Sequence, residues 1–258
     1  MPKTNAAPRF AAAHKPPASI LSIDIGGTKV KFLASGQTEP RRMTSGTAFT
    51  PQLMVEGVRK LTEDWEYEAV SIGYPGQVGE TGPRSEPGNL GSGWVGFDFA
   101  AAFGKPVRIM NDAAMQALGS YDGGRMLFLG LGTGLGSALI AENVIIPLEL
   151  GHLLYRNGQQ LWEVLGRRGL RRLGKRAWRR ALERVVPSLL VAFLADYIVL
   201  GGGNAKKVRT PPPGARLGNN LTAFRGGFRL WHLSDVPTLS GDEKPPPPGP
   251  PPPDWRLI

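Results

Sequence analysis

The run Ser19-Ile-Leu-Ser-Ile-Asp-Ile-Gly-Gly-Thr-Lys-Val-Lys-Phe-Leu-Ala34 decides the fold class. Ser19 to Asp24 is a short apolar run bounded by Gly26-Gly27, and beyond the glycines Val30, Phe32 and Ala34 fall on alternate positions. That pattern predicts a buried strand, a glycine turn and a second strand. Further strands are expected over residues 69–73, 107–110, 126–131, 137–140 and 197–200. Helical patterns over 51–65, 113–118 and 169–195, the last with a break near Pro187, separate several of them. Hairpins mixed with strand–helix alternation predict an α/β protein with mixed sheets, and no repeat of solenoid period is present.

Working outward, the chain has 258 residues, with 31 Lys plus Arg against 21 Asp plus Glu, a net charge of +10 that suits anionic partners without naming one. A chain of this length buries roughly three quarters of its unfolded surface, as one large or two smaller domains. The absence of cysteine excludes disulfides, thiolate metal sites and a cysteine nucleophile, and is compatible with a reducing cytoplasm. The longest nearly apolar run, 185–195, contains Pro187 and Ser188 and falls short of the ~20 residues of a spanning helix, so no membrane span is expected. Residues 1–18, rich in Ala and Pro and without the apolar stretch of a secretory signal, are expected to form a disordered arm. Residues 235–258, with eight prolines between Pro245 and Pro253, are expected to be an extended spacer or a ligand for a proline-reading partner.

Six segments of the region between, 19–234, can carry chemistry. In Asp24-Ile-Gly-Gly-Thr-Lys29 the turn lets backbone N–H groups approach an anion, while Asp24 can hold a hydrated Mg²⁺; the plain alternative is a hairpin. Gly132-Thr-Gly-Leu-Gly136 lacks the dinucleotide-binding spacing and leads into a strand, which leaves a phosphate-cradling hairpin or an ordinary turn. Asp112, in Asn111-Asp112-Ala, stands at a strand end before a helix, where it can accept a proton from a substrate hydroxyl or simply cap the helix. Glu149-Leu-Gly-His152 can offer an acceptor and a donor to a polyol, or be a surface turn. Gly201-Gly-Gly203 permits close approach of a flat ligand or phosphate, or is a strand-to-helix turn. Between Val164 and Val185 nine basic residues face one acid, a net +8 that includes Arg171, Arg172, Lys175 and Arg176. Leu170, Leu173, Ala177, Ala181 and Val185 lie near one helical face, so the run reads as an amphipathic helix whose cations are a solvated face or a track for a polyanion, nucleic acid included.

Taken in chain order, Asp24-Ile-Gly-Gly-Thr-Lys29, Tyr74-Pro-Gly76, Asn89-Leu, Asn111-Asp112-Ala, Gly132-Thr-Gly-Leu-Gly136, Glu149-Leu-Gly-His152 and Gly201-Gly-Gly203 resemble the ROK family of sugar kinases over about residues 19–232, and within it the polyphosphate-using glucokinase branch. The resemblance implies the actin-like ATPase (ribonuclease H-like) fold, with α/β domains over 19–117 and 118–234 around a cleft. It implies Asp112 as the general base toward the 6-hydroxyl of glucose. It implies Asn89, Asn111, Glu149, His152 and Glu163 at the sugar. It implies that Asp24, Gly26, Gly27, Thr28 and Lys29 form the first phosphate loop, Gly132, Thr133 and Gly134 the second, and Gly201, Gly202 and Gly203 the adenosine or distal-phosphate segment. Mg²⁺, bound to Asp24 through water, and ATP or polyphosphate as donor complete the expectation, with the basic helix as the polyphosphate track. A chain without cysteine cannot build the structural zinc site of many family members, so zinc is not expected. An arm of 18 residues is too short for the helix-turn-helix of the family's repressors, so nucleic acid is not an expected partner. Family members are commonly homodimers, a state this sequence does not specify. A cytoplasmic glucokinase is the leading reading. A non-catalytic sugar sensor or nucleic-acid binder on the same scaffold is the alternative, and Asp112 argues against it because a binder needs no base.

Overall fold

The computed structural model describes residues 16–142, 144–219 and 221–232. The Pro-rich tail and most of the N-terminal arm lie outside the described residues. In chain order the elements are β1 (Ile20–Ile25), β2 (Lys29–Ala34), β3 (Arg41–Thr44), α1 (Pro51–Leu61), β4 (Ala69–Tyr74), β5 (Val78–Gly79), β6 (Gly82–Pro83), α2 (Phe99–Phe103), β7 (Val107–Asn111) and α3 (Asp112–Ser120). They continue with β8 (Met126–Leu131), β9 (Leu135–Ala141), β10 (Val144–Leu148), α4 (Leu161–Leu165), α5 (Arg167–Ala192), β11 (Tyr197–Gly201), β12 (Ala215–Leu217) and α6 (Thr222–Arg229).

Two five-stranded mixed sheets result, in the orders β3-β2-β1-β4-β7 and β10-β9-β8-β11-β12. Each is an antiparallel meander of three strands extended by two parallel strands. The sheets therefore share one topology, and the two Gly-Thr turns, β1 to β2 and β8 to β9, occupy the same place in each. The first sheet buries Leu21, Ile23, Phe32, Ile72, Tyr74 and Trp94. The second packs Leu129, Leu131, Ile198 and Leu200 against α4 and α5, with Trp178 fully enclosed. Burial of such side chains contributes about 1.5–3 kcal/mol each.

Local chemistry explains most boundaries. Thr50 caps α1 by accepting from the Leu53 N–H, and Pro51 supplies a fixed φ at the first helical position. The helix stops at Leu61, four residues before the expected end at Trp65. Five strands escaped the sequence pattern: β3, β10 and β12, which lie at sheet edges, and the two-residue strands β5 and β6, which pair only with each other; β10 carries Pro147, which an edge tolerates. The expected break at Pro187 is not where the long helix breaks. Helix α5 runs through Pro187 and departs from helical geometry at Gly174 (φ 73°, ψ 164°), a conformation open to glycine and costly to other residues. Glu183 and Pro187 are both exposed, so solvent can take the carbonyl that proline leaves unpaired. The kink also resets the helical phase. Leu173 and Ala177, expected on the apolar face, are exposed, and the buried stripe begins anew as Trp178, Ala181, Leu182, Val185, Val186 and Leu189.

Candidate active site

Three parallel strands of the first sheet end side by side. In register, Asp24 of β1 stands opposite Gly73 of β4, and Tyr74 of β4 opposite Asn111 of β7. The carboxyl ends of parallel strands are where α/β folds place ligands. Asn111, not Asp112, caps α3: its Oδ1 accepts from the Ala114 N–H at 3.1 Å and its Nδ2 donates to Gly76 O at 3.1 Å. The Asp112 side chain is thereby left out of the capping interaction, with Oδ1 accepting the N–H of the next residue, Ala113, at 2.8 Å. Glycines let the backbone close in. A Cβ at Gly73 would lie 3.5 Å from Asp112 Cα and 2.4 Å from Met115 Cε, and one at Gly136 would lie 2.9 Å from Ala113 Cβ. Helix α3 is thus wedged between β4 and β9, and the first turn of α3 is brought next to the second Gly-Thr hairpin.

The electrostatics of this point are unusual for a carboxylate. Burial, then the negative charges of Asp24 and Glu149, against the Ala113 N–H, push Asp112 up to about 7. Three carboxylates distant in sequence therefore converge. Asp24 is itself pushed up by burial against the pull of Lys31, whose Nζ is 3.8 Å away; 15% of the Asp24 side chain remains accessible.

The first Gly-Thr turn is braced by a residue the sequence did not flag. Ser45, just past β3, donates from Oγ to Gly26 O at 2.6 Å and from its N–H to Thr28 O at 3.2 Å. Thr28 and Lys29 are exposed at the turn. Asn89 packs on the same turn, since a Cβ at Gly27 would fall 2.0 Å from Asn89 Nδ2. The loop carrying Asn89 is organised by Glu86, a second residue missed in sequence, whose carboxylate accepts the Trp94 and Val95 N–H groups at 3.2 Å each. Burial works against its charge, but these N–H groups and that of Gly93 hold it below the usual carboxylate range. Trp94 Nε1 closes the loop onto Gly91 O at 2.8 Å. An Ala at 86 frees the Trp94 and Val95 N–H groups and is expected to loosen the loop that carries Asn89, read as faster amide hydrogen exchange at Trp94 and Val95 in Glu86→Ala than in the parent chain.

The second Gly-Thr turn is held from two sides. The Arg167 N–H donates to Gly132 O and Thr133 O at 3.0 and 3.2 Å, and Asn204 Nδ2 donates to Gly132 O at 3.0 Å. Gly202 lies against the Leu131 backbone, where a Cβ would come within 2.8 Å, so the Gly201–Gly203 segment and the turn form one surface. Glu149 precedes and His152 ends a short 3₁₀ turn fixed by Ser137, whose Oγ donates to Leu148 O at 2.7 Å and accepts from the Leu150 N–H at 3.0 Å; Glu149 and His152 are exposed. Glu163 sits in a capping box at the start of α4, accepting the Gln160 N–H at 3.0 Å, with Arg168 3.7 Å from its other oxygen. Arg171, Arg172, Lys175 and Arg176 are exposed on α5, the first pair before the kink and the second after it.

Asp24 suits a hydrated Mg²⁺. It is a single, partly buried carboxylate beside a turn of N–H groups, and Mg²⁺ is usually held by one or two carboxylates, waters and substrate phosphates. Among the described residues no group of three or more His, Asp or Glu is arranged to hold a metal ion by itself, and no helix is long and apolar enough to cross a membrane.

A family profile described as "ROK family" matches residues 20–156. The chain is 27% identical over 253 residues to a polyphosphate glucokinase of Mycobacterium leprae, covering 83% of this chain and 74% of that protein. It is 32% identical over 149 residues to a bifunctional enzyme NanE/NanK of Brucella melitensis, covering 52% of this chain and 29% of that longer protein. Among solved structures, an inorganic polyphosphate/ATP-glucomannokinase from Arthrobacter sp. strain KM superposes with a TM-score of 0.69 at 24% identity, over 84% of this chain and 99% of that one. The fold is that of the actin-like ATPases.

Proposed function

The chain belongs to the ROK family of sugar kinases, and from that premise we propose that it is a cytoplasmic glucokinase taking its phosphoryl group from polyphosphate, ATP or both. The observation that carries this reading is Asp112, a carboxylate raised to about 7 at the carboxyl end of the parallel strand β7, within the field of Asp24 and beside the second Gly-Thr hairpin. A base poised near neutrality takes the hydroxyl proton as the oxygen attacks, which is where general-base catalysis is most effective. The Asn111 side chain is committed to Gly76 and Ala114 and so fixes the peptide from which Asp112 projects. Asn89, Glu149 and His152 are proposed to hold the remaining sugar hydroxyls, with Glu163 completing the set. The turns at 26–29 and 132–134 present N–H groups to the donor phosphates, and positioning and charge neutralisation supply most of the rate. Mg²⁺ bound near Asp24 would neutralise developing phosphate charge. The two α/β domains, divided near residue 117, would close over sugar and donor and exclude water.

The names of the relatives in Mycobacterium leprae and Arthrobacter support glucose and polyphosphate as the finer reading. A coupled assay for glucose 6-phosphate, with Mg²⁺ and glucose and with ATP or long-chain polyphosphate in parallel, tests it. Turnover with at least one donor is expected; silence with both, and then with other hexoses, would overturn the kinase reading in favour of a sugar-binding protein.

A further inference from the structure

Outside the carboxylate cluster, the surface where the second Gly-Thr turn meets α5 holds an open cavity of about 610 Å³, lined by Thr133, Trp162, Arg167, Arg168, Arg171 and Arg172. Arg167 is tied to the turn through its N–H, and the same hairpin packs Gly136 beneath Ala113, the neighbour of Asp112. The cavity therefore shares Thr133 with the second Gly-Thr turn, and the hairpin that carries this turn packs against the first turn of α3. The Gly174 kink divides the basic run into two parts. The four arginines before it line the cavity. Beyond it Arg179 is turned onto Lys207 O, to which Nε donates at 2.8 Å and Nη2 at 2.6 Å, while Lys175, Arg176, Arg180 and Arg184 are exposed and take no part in the lining.

Building on the phosphoryl-transfer reading above, we propose that this cavity is the entry site for inorganic polyphosphate. Arg167, Arg168, Arg171 and Arg172 bind successive phosphates while the terminal one reaches Thr133, and Lys175 and Arg176, assigned to the track from sequence, do not contribute. Guanidinium forks pair with phosphate oxygens two at a time, and a linear chain of phosphates presents such oxygens at every unit. Nucleic acid fits the lining less well, because single strands are held by successive aromatic platforms and this cavity has one aromatic ring, that of Trp162.

Calorimetric titration of the full chain with long-chain polyphosphate, without sugar, reads this site independently of turnover. Arg171→Gln with Arg172→Gln is expected to weaken binding by about tenfold or more and to flatten its salt dependence. Arg180→Gln with Arg184→Gln, the same change in charge beyond the kink, is expected to weaken it by less than about threefold, the share of a screened, exposed field. Equal losses in the two double variants would overturn the proposal, as would absence of polyphosphate binding. So would competition by a single-stranded oligonucleotide as strong as that by polyphosphate at equal phosphate concentration. Should the first double variant melt early, Arg171→Gln alone, an exposed position, gives the same comparison. Failure of sugar phosphorylation with polyphosphate binding intact would instead strike the kinase reading.

Discussion

Asp112→Asn is expected to lower kcat by a factor on the order of 10²–10⁴ or more while leaving sugar affinity within about threefold, because the amide keeps the shape and the Ala113 hydrogen bond but cannot accept the hydroxyl proton. In the unsubstituted chain kcat/KM should fall about tenfold per pH unit below about 7, as the carboxylate that burial and the Asp24 and Glu149 charges hold up becomes protonated. The same shift sets a stability expectation of definite sign. With a folded value near 7 above the ordinary value of 3.8, the group stabilises the fold when protonated, below pH 3.8, and that contribution is lost as pH rises through 7. The Asn variant, neutral throughout, should therefore melt higher than the parent at pH 8, with the gain shrinking toward acid pH. Loss of activity together with a raised Tm at pH 8 separates lost chemistry from lost structure; retained turnover would remove Asp112 as the base.

Gly226→Val should be strongly damaging to the fold. A Cβ at Gly226 of α6 would lie 1.8 Å from Met115 O of α3, and one at Gly119 of α3 would lie 1.7 Å from Thr222 O of α6. The two helices thus touch backbone to backbone, and no rotamer relieves a clash of this kind. Helix α6 is locked in place from several directions: Ser71 Oγ donates to Gly227 O at 2.6 Å, and Arg229 Nη1 donates to Leu118 O and Tyr121 O at 2.7 Å each, closing the carboxyl end of α3. A valine must push α6 off α3 or off the first sheet. The expected cost is about 3 kcal/mol or more, the upper end of overpacking, which lowers Tm by roughly 6–12 °C in a domain of this size. Gly88→Ala, with nothing within 4 Å of its added Cβ, should leave Tm nearly unchanged. Because α3 begins with Asp112, the valine variant should also lose activity below its Tm, unlike a substitution that destabilises a remote surface.

Much of the architecture was legible because its signals are local. The β1 and β8 strands announce themselves as apolar runs ending in Gly-Thr turns, and Asn111-Asp112 before Ala-Ala-Met marks a helix start from sequence alone. Yet whether Asn111 or Asp112 caps that helix was open, since both side chains suit the position. The answer depends on Gly76 O, which draws the Asn111 amide and lies 35 residues upstream. Ser45 and Glu86 carried no signal, since a serine after a polar edge strand and a glutamate in a loop are ordinary until their backbone partners at Gly26, Trp94 and Val95 are known. The kink was sought at Pro187, which suits helical φ and gives up one hydrogen bond on the solvent side; it formed at Gly174, where a left-handed φ is inexpensive.

The sequence by itself determined the α/β class, the two glycine turns, the aspartate at a strand end and the concentration of positive charge between Val164 and Val185, because each follows from the conformational preference or charge of neighbouring residues. The tertiary structure alone decided that Asp24, Asp112 and Glu149 converge, that α6 returns from the end of the fold to seal α3 against the first sheet, and that four of the basic residues gather at one cavity beside the second turn. A carboxylate's proton affinity depends on the distance to other charges and to water, and backbone contact between helices depends on which glycines meet. Neither distance is written in the spacing along the chain.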